Sequence, residues 1–161
     1  MQDGSETEAP EIAGQGTAGR LTNTLPMLLL RAREAVLEPA RPILRRHDLT
    51  EAQWRVLRTL DSEGEMEATR LTRAVYLRAP SLTRIVRDLC ARDYVVRRPD
   101  PDDRRVVIVS IAPAGRAIVR QVHPLIRQVA GRLRDAFGPE ALADLQHRLA
   151  RLIDVASGAD D

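Results

Sequence analysis

Residues 94–111 read "YVVRRPDPDDRRVVIVSI". Two segments rich in β-branched residues flank Pro99–Asp103, a stretch made only of proline and aspartate. Proline fixes φ and cannot donate to a ladder, and aspartate favours turns. The stretch therefore predicts two strands, Tyr94–Arg98 and Arg104–Ile111, joined by a stiff projecting loop rather than a two-residue hairpin turn. The loop sets Arg97–Arg98 on one side and Arg104–Arg105 on the other.

The rest of the chain has helical periodicity. Leu21, Leu25, Leu28, Leu29, Ala32 and Val36 share one face of a helix starting at Arg20, which Pro39 and Pro42 bend or interrupt before Ile43–His47. Thr50-x-x-Gln53 is a capping box opening the next helix, which carries Trp54, Val56, Leu57 and Leu60 and ends at Asp61–Gly64. Met66–Tyr76 reads as a short helix with Leu71, Ala74 and Val75 inward. After a turn at Leu77–Ala79, Pro80 occupies the first position of a helix running to about Arg92. A long helix from Pro113 to about Phe137 follows the strands. Gly138-Pro139 then breaks it, and a last helix covers Glu140–Val155.

Three short helices followed by a hairpin make a winged helix-turn-helix. The predicted fold class is mainly α with a small β-hairpin, completed by an all-helical dimerisation region. The expected organisation is a disordered acidic tail (1–19), an N-terminal dimerisation region (20–48), a winged lobe (49–112) and C-terminal dimerisation helices (113–157). The dimer is expected because one lobe cannot cover every apolar face. The first helix and two later stripes remain: Ile118, Val122, Leu125, Ile126, Val129 and Leu133, then Leu142, Leu145, Leu149, Leu152 and Ile153.

Charge points to a partner. The net charge is only +2, and every one of the 25 basic residues is arginine. Residues 70–105 hold ten arginines against five acids, whereas residues 1–19 hold four acids and no base. If Leu82, Ile85, Val86 and Leu89 pack inward, Ser81, Thr83, Arg84 and Arg87 point out, where they can reach base edges and phosphates. Arg78 and Pro80 stand at the start of that helix. Arg98, Arg104 and Arg105 on the hairpin would reach a neighbouring minor groove, whose negative potential attracts arginine. Double-stranded DNA is the expected partner.

Other classes fit less well. No nucleophile–base–orienter set or glycine-rich phosphate loop argues for an enzyme. Cys90 is the only cysteine and His47, His123 and His147 show no ligand spacing, so neither a metal nor another cofactor is expected. Cys90 is expected to be an inert, half-buried thiol. No apolar run approaches the roughly 20 residues of a membrane span, and the acidic N-terminus does not resemble a signal peptide, so a cytoplasmic protein with no membrane partner is expected. The main rival reading is a non-specific architectural DNA-binding protein without a ligand response. A winged helix used only for protein contacts is disfavoured by arginines on both the helix and the hairpin.

The stretches "LTEAQWRVLRTL" and "LTRIVRDLCARDYVVRRPDPDDRRVVIVSIAPAG" resemble the MarR family of dimeric bacterial transcriptional regulators, over about residues 20–156. The segment "LLLRAREAVLEPARPILRRHDLTEAQWRVLRTL" further resembles the branch that represses homoprotocatechuate (aromatic-acid) degradation operons. The resemblance implies a homodimeric repressor on a pseudo-palindromic operator, released by a small aromatic carboxylate. It matches Asp103 and Arg105 to the family's wing motif, with Arg105 entering the minor groove and Asp103 orienting it. Two positions depart from the family pattern. Asp93 stands where glycine is usual, which is mild because aspartate tolerates the left-handed conformation. Ala112 stands where threonine usually caps the next helix. A carboxylate in a partly apolar cleft needs an arginine fork. Arg31 and Arg33 flank the first helix's apolar stripe; Arg33 is favoured, with His47, Trp54 and His123 as candidate pocket neighbours.

Overall fold

Pro26 decides where the first helix begins. Proline is tolerated in the first turn of a helix and breaks its interior, which suits the start of this helix at Leu25. The structure, a computed structural model, describes residues 23–158. The acidic tail over 1–19, with Arg20 and Leu21, lies outside the described residues. The chain divides into two units, one ending at Val36 and one beginning at Leu37. Helix α1 (Leu25–Leu37) is the described helix of the first, and none of its residues is buried.

The second unit opens with a 3₁₀ turn, Glu38–Ala40, and helix α2 (Arg41–Arg46). Pro39 and Pro42 each fall in the first turn of their own segment, which is the expected interruption. Helix α3 (Glu51–Glu63) starts at the capping box. Gln53 N–H donates to Thr50 Oγ1 at 3.2 Å, and Thr50 N–H donates to Gln53 Oε1 at 3.0 Å. Gly64, at φ 83°, ends it.

Met66 and Glu67 do not belong to a helix. They form strand β1, paired with Val109 and Ile108. A two-residue strand has no periodicity of its own, and the pairing partner lies some forty residues away. Helix α4 is therefore only Ala68–Ala74. Its inward stripe is Ala68, Leu71 and Val75. Ala74 falls roughly 90° from the centre of that stripe and is exposed, contrary to expectation.

Helix α5 spans Ala79–Cys90, with Arg78 as N-cap. Pro80 is its second residue, one later than expected. The helix stops before Arg92 because the chain turns left-handed at Asp93, φ 55°. Leu82, Ile85, Val86 and Leu89 are buried, as their spacing requires. Cys90 is half-buried and packs against the core.

Strand β2 (Val95–Pro99) is shifted by one residue from the expected bounds, and β3 (Val107–Ile111) starts later than expected but ends at Ile111 as expected. Their antiparallel register runs from Val95↔Ile111 to Pro99↔Val107, and the sheet order is β1-β3-β2. Arg104 and Arg105 lie in the turn rather than in the strand. Helix α6 (Pro113–Phe137) and helix α7 (Pro139–Ala156) meet at Gly138, φ 95°. Ala112 is the N-cap of α6 and makes no side-chain cap bond. Pro124 lies inside α6, so the Arg120 carbonyl loses its intrahelical donor.

The core joins α3, α4, α5, the sheet and α6 through Leu57, Leu60, Leu71, Leu89, Val109, Val119 and Val122. Val122 is fully buried within the chain, and Ile118 and Ile126 pack against the same core. Val122 at least needs no partner, which corrects the expectation that the whole α6 stripe does. Leu125, Leu133, Leu145 and Ile153 remain exposed, and α7 buries no residue.

Gly115 fixes the junction between hairpin and α6. A Cβ there would stand 2.1 Å from the Tyr94 carbonyl oxygen and 2.9 Å from Ile111 Cγ1. Neither backbone nor core can yield easily, so Gly115→Ala is expected to cost about 1–3 kcal/mol or more. Calorimetry should record a melting temperature lower by about 2–10 °C. An unchanged melting point would show that the approach is looser than this.

Candidate nucleic-acid interface

Helix α5 presents two faces of opposite character. The inward face is apolar, so Thr83, Arg84 and Arg87 are held outward and exposed. Ser81 is half-buried, less outward than its spacing implied. Thr83 Oγ1 donates to the Ala79 carbonyl at 3.0 Å, leaving its lone pairs free to accept. Arg87 pairs weakly with the adjacent Asp88 at 3.4 Å. Arg84 has no ion pair among the described residues. Arg78 offers no side-chain cap, so the N–H groups of Ala79 and Ser81 are uncapped donors at the positive end of the helix. Pro80 has no N–H to offer and serves by starting the helix.

The wing is built by two aspartates. Asp100 Oδ1 accepts from the N–H of Asp102 at 2.8 Å and of Asp103 at 3.3 Å. Asp100 N–H then closes the loop on the Val106 carbonyl at 2.9 Å. Asp103 Oδ1 accepts the Arg105 N–H at 3.0 Å, and its two oxygens take the Arg105 Nε and Nη2, each at 3.1 Å. Arg105 is thus aimed by a forked pair while its side chain stays 91% exposed. Arg104 beside it is exposed and has no ion pair among the described residues.

Arg98 behaves differently. Its Nη2 meets Glu65 at 2.7 Å, which ties β2 to the loop ahead of β1. Nothing in the sequence signals that pairing, because Glu65 lies 33 positions earlier. Arg97 and Arg98 line a recess of about 200 Å³ with Pro99 and Val107. Asp100 was missed as a site-shaping residue; its place between two prolines, two residues ahead of the first backbone donor, is the signal that could have found it.

The expected ligand contacts are spread over several elements. Arg31 and Arg33 are exposed on α1, and Arg33 Nη1 meets Glu34 at 2.6 Å. His47 caps the C-terminus of α2 and is half-buried. Trp54 stands in the first turn of α3, partly buried against the core. His123 lies on α6, beside a groove of about 360 Å³ lined also by Pro124, Arg127, Gln128, Gly131 and Arg134. Partial burial, then the Arg58 and Arg127 cations, hold the His123 imidazole below its usual value, against an opposing pull from Asp61.

A recognition helix with outward arginines, set beside a stiff wing with an aimed arginine, defines a winged helix-turn-helix DNA-binding protein. Comparisons with known proteins agree. The MarR family profile matches residues 49–107. The chain is 33% identical to the homoprotocatechuate degradative operon repressor of Escherichia coli, over 81% of this chain and 88% of that one. Among solved structures, NadR in complex with 4-hydroxyphenylacetate aligns with a TM-score of 0.76 and 26% identity, covering 85% of this chain and all of NadR. CouR bound to a 23-mer DNA duplex aligns with a TM-score of 0.77 and 26% identity, covering 87% and 99%. The chain belongs to the MarR family and is a DNA-binding transcriptional regulator. No helix among its described residues is long and apolar enough to cross a membrane.

The forked pair predicts a titration. The Arg105 side chain, then its backbone N–H, holds the Asp103 carboxyl below its ordinary 3.8. A lowered folded-state pKa means the pair helps the folded wing above the unfolded pKa and is lost as pH falls through the folded value. Carbon-detected NMR should therefore place the Asp103 midpoint below 3.8 in the native protein and move it back up in Arg105→Ala. Identical midpoints in the two proteins would mean the fork does not persist in solution.

Proposed function

We propose that the chain is a homodimeric repressor of an aromatic-acid catabolism operon, released from a pseudo-palindromic operator by a small aromatic carboxylate. The carrying observation is the exposed set Arg84, Arg104 and Arg105, on two adjoining elements shaped to meet a duplex. In this reading, Arg84, Arg87 and Thr83 address the major groove, with Ser81 and Arg78 against phosphate. Arg105, aimed by Asp103, enters the minor groove beside Arg104. Arg98 joins them at the minor groove after releasing Glu65.

The oligomer is supported by unburied apolar surface. Helix α1 exposes Leu25, Leu28, Leu29 and Val36, while α6 and α7 expose Leu125, Leu133, Leu145 and Ile153. Pairing these faces between two copies is the simplest cover, with residues 20–48 and 113–157 as the dimerisation regions. The effector class is supported by the E. coli relative, an aromatic-acid operon repressor, and by NadR, whose structure holds 4-hydroxyphenylacetate. An arginine fork would take the carboxylate. Arg33, then Arg31, remain the candidates on α1, and His47, Trp54 and His123 are candidates within the second unit, each to be tested singly.

The test is fluorescence anisotropy with DNA from upstream of the protein's own gene, against scrambled DNA at about 150 mM salt. Specific binding should exceed non-specific binding by about 10³-fold or more. Arg84→Ala and Arg105→Ala should each weaken it by about 5–100-fold. A phenolic or phenylacetic acid should release the complex. Equal binding to both duplexes, unmoved by any acid, would favour an architectural role instead.

A further inference from the structure

Three helices of the second unit end in the same way. In each, the C′ residue donates to the carbonyl three positions back, and the next residue donates five positions back. Asp48 and Leu49 do so to Arg45 and Leu44, Tyr76 and Leu77 to Arg73 and Thr72, and Asp93 and Tyr94 to Cys90 and Leu89. These are Schellman ends, which place the C′ residue in the left-handed region and usually recruit glycine. Here the C′ residues are Asp48, Tyr76 and Asp93, at φ 53°, 51° and 55°. Aspartate visits this region at small cost; a bulky aromatic does not.

Tyr76 is therefore the outlier. Its strain is not offset by packing, since the residue is 81% exposed. The apolar anchoring is done by the next residue, Leu77, which packs on the core. Glycine at 76 would make the same turn without strain. Tyr76 stands two residues ahead of Arg78, the N-cap of the recognition helix, so its Cα lies within about 7 Å of the Arg78 Cα. Exposed Arg73 and Arg78 flank it. A strained, exposed aromatic beside a cationic binding edge is placed for a ligand that edge receives.

We propose that Tyr76 is a DNA-backbone contact, its phenol O–H donating to a phosphate oxygen that flanks the major groove entered by α5. The contact adds affinity and fixes the helix's angle of entry, and carries no base information. The inference rests on the operator-binding reading above. It differs from the arginine contacts in one measurable way: a neutral phenol displaces no counterion, so its removal leaves the salt dependence of binding unchanged.

The experiment compares the full-length protein with Tyr76→Phe and Tyr76→Gly, by melting temperature and by anisotropy on the upstream and scrambled duplexes across a salt series. Tyr76→Gly should melt about 2–4 °C higher because the strain is relieved. It should also bind both duplexes about 10-fold more weakly, with the same salt slope. Tyr76→Phe, which keeps ring and strain, should melt like the native protein and bind about 3–5-fold more weakly. Unchanged affinity in Tyr76→Gly overturns the proposal, and a change in oligomeric state with it would make Tyr76 a contact between copies. A loss confined to the upstream duplex overturns it too, by showing base readout. Failure of the native protein to bind either duplex removes the operator reading itself, and this inference with it.

Discussion

The placement of recognition helix and wing depends on one junction around Tyr94. Its N–H closes the end of α5 on the Leu89 carbonyl at 2.9 Å, and its carbonyl accepts from Ala112 at 3.0 Å, where β3 gives way to α6. Gly115 lets the first turn of α6 lie against that same carbonyl. On the other side, Arg92 spans the space between hairpin and α2. It donates to the Asp48 carbonyl at 2.6 Å and approaches the Tyr94 hydroxyl at 3.3 Å, with its guanidinium 4.5 Å from the Tyr94 ring centroid. The ends of α2, α5 and β3 and the starts of β2 and α6 meet there. A charge-assisted hydrogen bond and a cation–π contact are each modest alone, but together they fix where the hairpin leaves the recognition helix.

That junction explains why counting arginines misleads. The basic stretch contains arginines with different roles. Arg92 is structural, holding backbone carbonyls, and Arg98 is engaged by Glu65. Arg84 and Arg104 stand free of ion pairs among the described residues, and Arg105 is aimed. Their common guanidinium does not distinguish them in sequence; their geometry does. An arginine fork suits a carbonyl pair as well as a phosphate or a guanine edge.

What was legible in the sequence was local. The Thr50–Gln53 box, the 82/85/86/89 stripe and the proline–aspartate wing all depend on residues within a few positions of one another. The left-handed Asp93 was reached only through the family resemblance, which has glycine at that place. Pro26 is a local signal too, and its place in the first turn suits the start of α1 at Leu25. What was hidden depends on distant partners. Strand β1 exists because Met66 and Glu67 meet Val109 and Ile108. The late start of β3 at Val107 follows from aspartate hydrogen bonds that keep 100–106 out of the ladder. The burial of Val122 reflects packing of α6 on α3, whereas an apolar stripe looks the same whether its cover comes from the same chain or another.

The wing contains three aspartates beside two exposed arginines, an apparent contradiction if it meets a polyanion as proposed above. Asp100 and Asp103 resolve it by facing inward on their own loop, accepting backbone N–H groups and the Arg105 fork. The Asp103 carboxylate meets the Arg105 guanidinium, and the Asp100 carboxylate meets backbone N–H groups of its own loop. An exposed arginine is rich in rotamers, and fixing it on binding costs roughly 0.5–1.5 kcal/mol. Asp103 removes part of that freedom in advance, while the Arg105 side chain stays largely exposed. The negative charge of Asp103 is thus the means by which the positive charge of Arg105 is aimed. Asp102 lacks such a role in the structure: its backbone N–H is used, and its carboxylate has no partner among the described residues.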